Sequence, residues 1–186
     1  MKELSLNILD ITENSVKASA TLTEILIDET DDTLTITIKD NGCGMSDEVV
    51  KSVTNPFYTT RTTRKVGMGI PLLKLEAELT GGFITVESKS ISDFPDEHGT
   101  TVQALFYKNH LDFTPLGDVV ATIVTLIQGH PNVDFYFRHA LGETTLAELN
   151  TRALREVLEE VPLNSYEVIT WVEESLKEQY SEAQNK

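Results

Sequence analysis

Cysteine is nearly absent. Cys43 stands alone among 186 residues, which excludes an internal disulfide and a cysteine-rich metal site. Long apolar runs are missing too: no stretch approaches the roughly 20 apolar residues that a membrane-spanning helix needs. Met1 to Asn7 has neither the apolar core nor the cleavage site of a signal peptide, so a cytoplasmic protein is expected. Cations are scarce, with 15 Lys and Arg against 30 Asp and Glu and a formal net charge of -15. That balance opposes non-specific binding to nucleic acid or to anionic membranes. Histidine is also sparse: His98, His110, His130 and His139 have no zinc-ligand spacing. Neither a Ser-His-Asp arrangement nor a Walker-type phosphate loop is visible.

What is present is a well-punctuated α/β pattern. Leu4, Ile8, Leu9, Ile11 and Val16 recur at helical spacing, which predicts a helix over 4–19. Asn7, Asp10, Asn14 and Lys17 share one stripe of it. Residues 24–28 and 34–39 alternate around the acidic turn Thr30-Asp31-Asp32, as a β-hairpin does. Ser46-Asp47-Glu48 starts a short helix to about Thr54. Residues 55–66 lack an apolar period and are expected to be a movable loop. A helix over 69–80 follows, stopped by Gly81-Gly82, then strands over 83–89 and 100–108. These elements predict an α+β two-layer sandwich, an open sheet covered by helices on one face. From Pro115 the chain reads as a helix over 119–128, a hairpin over 133–138 and 144–149, and two charged helices. The expected division is a domain over 1–111 and an α/β appendage over 112–186.

Three segments carry chemistry. Where the second strand ends, Asp40-Asn41-Gly42-Cys43-Gly44-Met45 forms an acid followed by two glycines. A carboxylate there can accept a hydrogen bond from the exocyclic amine of adenine, where guanine offers a carbonyl. Gly42 and Gly44 would let the main chain approach base and ribose. The second segment, Lys65-Val66-Gly67-Met68-Gly69-Ile70, opens a helix with exposed backbone donors suited to phosphate. Arg61, Arg64 and Lys65 make it locally basic in an otherwise acidic chain. The third is Asn14, whose amide oxygen suits Mg²⁺ bridged to nucleotide phosphates. Asp10, one turn earlier, could orient or deprotonate a water or hydroxyl. Taken singly, each has an ordinary reading as a turn aspartate, a helix start or a solvated helix face.

In this order the segments resemble the boxes of the GHKL ATPases, the superfamily of DNA gyrase, the large heat-shock chaperone, histidine kinases and MutL. Asp10-Ile11-Thr12-Glu13-Asn14-Ser15 is similar to the first box, Asp40 to Met45 to the second, Gly67 to Ile70 to the third and Gly99-Thr100 to the last. Asn55-Pro56-Phe57-Tyr58-Thr59-Thr60-Arg61 is similar to the segment preceding the third box in histidine kinases. The resemblance covers about residues 4–107 and implies a Bergerat-type sandwich, Mg-ATP between helices and sheet, and a mobile lid at about 46–68. It implies adenine contact by Asp40, nucleotide contact by Gly42, Gly44, Met45 and Thr100, Mg²⁺ on Asn14, and phosphate held by Gly67, Met68 and Gly69. Asp10 falls where hydrolysing members carry a glutamate base, and here the acid is shorter. Lys65 and Val66 replace a Gly-Thr pair often found ahead of the third box, giving a stiffer, more basic hinge. The whole chain is similar to small stand-alone histidine-kinase-like ATP-binding proteins.

Two functions are expected from this. One is slow ATP hydrolysis or phosphoryl transfer to a partner protein, with the partner on the C-terminal appendage. The alternative is a non-catalytic, ATP-gated protein-binding module. A complete histidine kinase is disfavoured, because no phosphoacceptor helical hairpin is visible. A degenerate pocket that binds nothing is the bland third reading.

Overall fold

The computed structural model describes residues 3–53 and 69–184. The first helix, α1 (Leu4–Lys17), buries Leu4, Ile8, Ile11 and Ser15, a stripe at helical spacing that seats it on the sheet. Its N-terminal N–H groups are satisfied from far along the chain: Leu4 N donates to Pro115 O at 2.9 Å and Ser5 N to Leu116 O at 2.8 Å. The hairpin of β1 (Leu22–Glu29) and β2 (Thr33–Asp40) follows. In β2, Leu34, Ile36 and Ile38 point to the helices while Thr35, Thr37 and Lys39 point away. A short α2 (Asp47–Val53), then α3 (Gly69–Leu79), β3 (Phe83–Lys89) and β4 (Gly99–Tyr107) continue the layer.

The second half consists of α4 (Val119–Gly129), β5 (Asp134–Leu141), β6 (Thr144–Asn150), α5 (Thr151–Leu158) and α6 (Tyr166–Gln184). Its hairpin extends the sheet of the first half. The strand order is β3-β4-β2-β1-β5-β6, antiparallel throughout except where β5 runs parallel to β1, Ile25 beside Phe137 and Ile27 beside His139. The sheet thus has six strands, two more than residues 1–111 supply.

Helices α3, α1, α4 and α6 pack side by side. The core between them and the sheet is built from Ile25, Ile27, Ile36, Phe106, Ile123, Phe135, Phe137, Val172 and Leu176, among others. Residues on both sides of position 111 contribute to that single cluster. Among the described residues no helix is long and apolar enough to cross a membrane.

Candidate functional site

Alternation along β2 puts the Asp40 side chain on the helix side of the sheet, in line with Ile36 and Ile38. There it is half-buried and held by three donors. Oδ2 accepts from Ser15 Oγ at 2.7 Å, and Oδ1 accepts from Gly42 N at 2.8 Å and Thr100 N at 3.3 Å. Ser15 comes from α1, Gly42 from the turn and Thr100 from β4, so three segments distant in sequence fix one carboxylate. Oδ1 is filled by its two donors, whereas Oδ2, with one, keeps acceptor capacity for a further donor.

The turn after Asp40 is wedged between α1 and the β3–β4 loop. Cys43 N donates to Ala18 O at 2.8 Å, Ile91 N donates to Cys43 O at 2.9 Å, and Met45 N donates to Ser88 Oγ at 2.8 Å. The Ser88 hydroxyl also meets the Gly99 carbonyl at 3.0 Å and the Thr100 hydroxyl at 2.8 Å. Gly44 has φ +65°, and a Cβ there would lie 1.9 Å from Lys89 O. That position needs glycine for its seat against β3, whatever ligand the turn meets. Asn41 points outward to β1, accepting from Thr21 N and Leu22 N, both at 2.9 Å.

On α1 the polar stripe divides by commitment. Asn7 is fully buried and donates through Nδ2 to Glu76 of α3, leaving its Oδ1 without a partner. Glu13 is engaged with His130 at the end of α4, with 2.6 Å between Oε1 and Nε2. Asp10 is exposed and Asn14 half-buried, and among the described residues no hydrogen bond or ion pair engages either side chain. Asp10 faces the start of α3, where a Cβ on Gly69 would come within 3.2 Å of the Asp10 Cβ. Asn14 adjoins Ser15, the residue bonded to Asp40. The structure thus brings Asp40 together with Ser15 and Thr100, and Asp10 together with Gly69. Arg61, Arg64, Lys65, Gly67 and Met68 lie outside the described residues, as does most of the segment over 46–68 expected to form a lid.

One contact was invisible in the sequence. His98, which reads there only as a residue at a strand end, places Nδ1 2.6 Å from the Gly42 carbonyl. It lines a cavity of about 420 Å³ whose wall includes Asp40, Ser88 and Thr100 together with Lys39, Glu87 and Thr101. Lys39, Thr101 and Glu87 are cross-strand neighbours on the sheet face turned away from the helices.

A family model described as histidine kinase-, DNA gyrase B-, and HSP90-like ATPase matches residues 2–110, more than half of the chain. A sensor histidine kinase of Bacillus subtilis (strain 168), YvrG, is 31% identical over 101 residues, covering 51% of this chain and 16% of that protein. The chain thus spans under a fifth of that relative's length. Among solved structures, the Aquifex aeolicus MutL ATPase domain complexed with ADP superposes with a TM-score of 0.57 at 18% identity, covering 86% of this chain and 68% of that one. The N-terminal domain of a DNA repair protein does so at 0.53 and 14% identity, covering 80% of this chain and 53% of the other. These two likenesses speak for the fold, reaching beyond residue 110 into the strands and helices of the second half. With the family model over residues 2–110, the chain belongs to the histidine kinase-, DNA gyrase B- and HSP90-like ATPases, the GHKL superfamily, and has its α+β sandwich.

Proposed function

We propose that this protein binds Mg-ATP on the helix side of its sheet and uses it for slow hydrolysis or for phosphoryl transfer to a partner protein. Family membership implies nucleotide binding. The observation that carries the rest is the half-buried Asp40 carboxylate, fixed by Ser15, Gly42 and Thr100, with Asp10 and Asn14 on the polar stripe of the same helix that supplies Ser15. Asp40 accepts the adenine amine. The segment from Arg61 to Gly69 supplies phosphate contacts through Arg61, Arg64, Lys65 and the backbone of Gly67, Met68 and Gly69.

The donor set suits Mg²⁺. No cluster of three or more His, Cys, Asp or Glu side chains forms a protein cage among the described residues, and Mg²⁺ commonly takes few protein ligands, with water and phosphate completing its shell. Asn14 Oδ1, a hard oxygen with no partner among the described residues, would hold it. A Mg²⁺ ion held there would supply neutralisation of phosphate charge. Asp10 orients or deprotonates the attacking water or hydroxyl. Residues 1–111 are the nucleotide unit in this reading. Residues 112–186, where Val157, Tyr166 and Trp171 stand exposed, meet the partner.

Asp10→Asn tests the catalytic half. Binding should stay within about threefold of wild type while phosphate release falls about 100-fold or more. Unchanged release would remove Asp10 from the mechanism. Tight ATP binding with neither phosphate release nor label transfer to a partner would favour an ATP-gated binding module.

A further inference from the structure

We propose that His98 is a positioning residue for the base-reading turn, an inference that rests on the adenine role given to Asp40. The contact at 2.6 Å joins His98 Nδ1 to the Gly42 carbonyl. A carbonyl oxygen only accepts, so Nδ1 carries the hydrogen and donates. The same peptide unit bears the Cys43 N–H, which donates to Ala18 O at 2.8 Å. This peptide is therefore pinned at both ends, by a side chain from the β3–β4 loop and by the end of α1.

The pinning matters because of where it acts. Gly42 lies between Asp40 and Cys43, and its own N–H is one of the three donors on the carboxylate. Glycine has the widest backbone freedom of any residue, so the peptide that follows it needs external restraint to stay in one orientation. His98 supplies that restraint, and among the described residues it is the one side chain hydrogen-bonded to the Gly42 carbonyl. Its chain neighbours reinforce the same corner: Thr100 N reaches Asp40 Oδ1, and a Cβ at Gly99 would come 2.0 Å from Asp40 O. Without His98 the turn spends time in conformations where Asp40 is misaimed, and apparent ATP affinity falls by the fraction lost.

The test is calorimetric ATP titration, with Mg²⁺, of three variants. His98→Ala should bind ATP about fivefold more weakly than wild type, the effect of one ordinary hydrogen bond. His98→Asn should recover most of the loss, because its amide nitrogen falls where Nδ1 stood. His98→Gln should not, because its amide nitrogen falls nearer the Nε2 position. Equal affinities for wild type and His98→Ala would overturn the inference and leave the Asp40 reading intact. Absence of ATP binding by wild type would instead sink the Asp40 reading, and this inference with it. If the alanine variant does not fold, ¹⁵N-histidine spectra of wild type in alkaline buffer decide. They should show His98 as the Nδ1–H tautomer, with its signal moving on ATP addition. An Nε2–H tautomer, or a signal indifferent to bound ATP, would contradict the proposal.

Discussion

Asp40→Asn separates what Asp40 does for the fold from what it does for the ligand. The asparagine carbonyl can take the place of Oδ1 and keep the bonds from Gly42 N and Thr100 N. Its amide nitrogen then replaces Oδ2, and the Ser15 hydroxyl turns from donor to acceptor. All three protein contacts survive, without the assistance of the charge. Hydrogen bonds to a charged group contribute about 1.5–3 kcal/mol each, against about 0.5–1.5 for neutral ones. The half-buried carboxylate also loses a desolvation cost on neutralisation. The net loss of stability should be about 1 kcal/mol, a fall in melting temperature of about 2–4 °C for a domain of this size.

The ligand meets a harsher change. The adenine amine would confront an amide N–H where an acceptor stood, losing a charge-assisted bond and leaving donors opposed. That costs about 3 kcal/mol, or roughly 100-fold in affinity. Thermal melting of the free protein and calorimetric titration with ATP measure the two effects separately. Affinity within threefold of wild type would remove Asp40 from base recognition. A stability loss above about 4 kcal/mol would mean that the carboxylate serves chiefly to hold the turn.

Other outcomes follow from packing and burial. Gly44→Ala should destabilise by more than about 2 kcal/mol in chemical denaturation, since φ is +65° and the new Cβ would collide with Lys89 O; a change within about 0.5 kcal/mol would refute the geometry of the turn. In the second half, His139 is buried between Tyr180 OH, 2.8 Å from Nδ1, and Glu29 Oε1, 3.0 Å from Nε2. Burial pushes the imidazole below its ordinary value of 6.5, against the upward pull of Glu29. The unfolded chain therefore takes up a proton at His139 before the folded one does. The stability associated with neutral His139 is present above pH 6.5 and is lost as the pH falls below it. His139→Gln should flatten that part of the stability–pH curve; an unaltered slope would place the titration elsewhere. Replacing Arg61 and Lys65 together by Ala should weaken ATP far more than adenosine, as measured by ligand-induced shifts in melting temperature, whereas equal weakening would remove these cations from the phosphate grip.

The elements with local signals were readable from the sequence. The 3.6-residue period of Leu4, Ile8 and Ile11, the alternation of Leu34, Ile36 and Ile38, and the Gly81-Gly82 stop all located elements to within a few residues. The extension of the sheet was not readable, because pairing of β5 alongside β1 joins residues over a hundred positions apart and leaves no local trace. The alternating Phe135, Phe137 and His139 show that β5 buries one face, without showing against which neighbour. In the site, the polar identities of Asp10, Asn14 and Asp40 stood out in sequence. Their division into committed and uncommitted side chains did not, since it depends on remote partners such as His130 for Glu13 and Ser15 for Asp40. His98 was missed for the same reason: one hydrogen bond to a backbone carbonyl 56 residues away has no compositional signature.

In the proposed function, Asp40 and its fixed turn make this end of the sheet an adenine site. Calorimetric titration of the unmodified protein with ATP and with GTP, each with Mg²⁺, tests it most directly. Saturable one-to-one binding of ATP is expected, with GTP weaker by about 100-fold, the discrimination that follows when a half-buried acceptor faces a carbonyl instead of an amine. Equal affinity for the two nucleotides, or heat from neither, would contradict it.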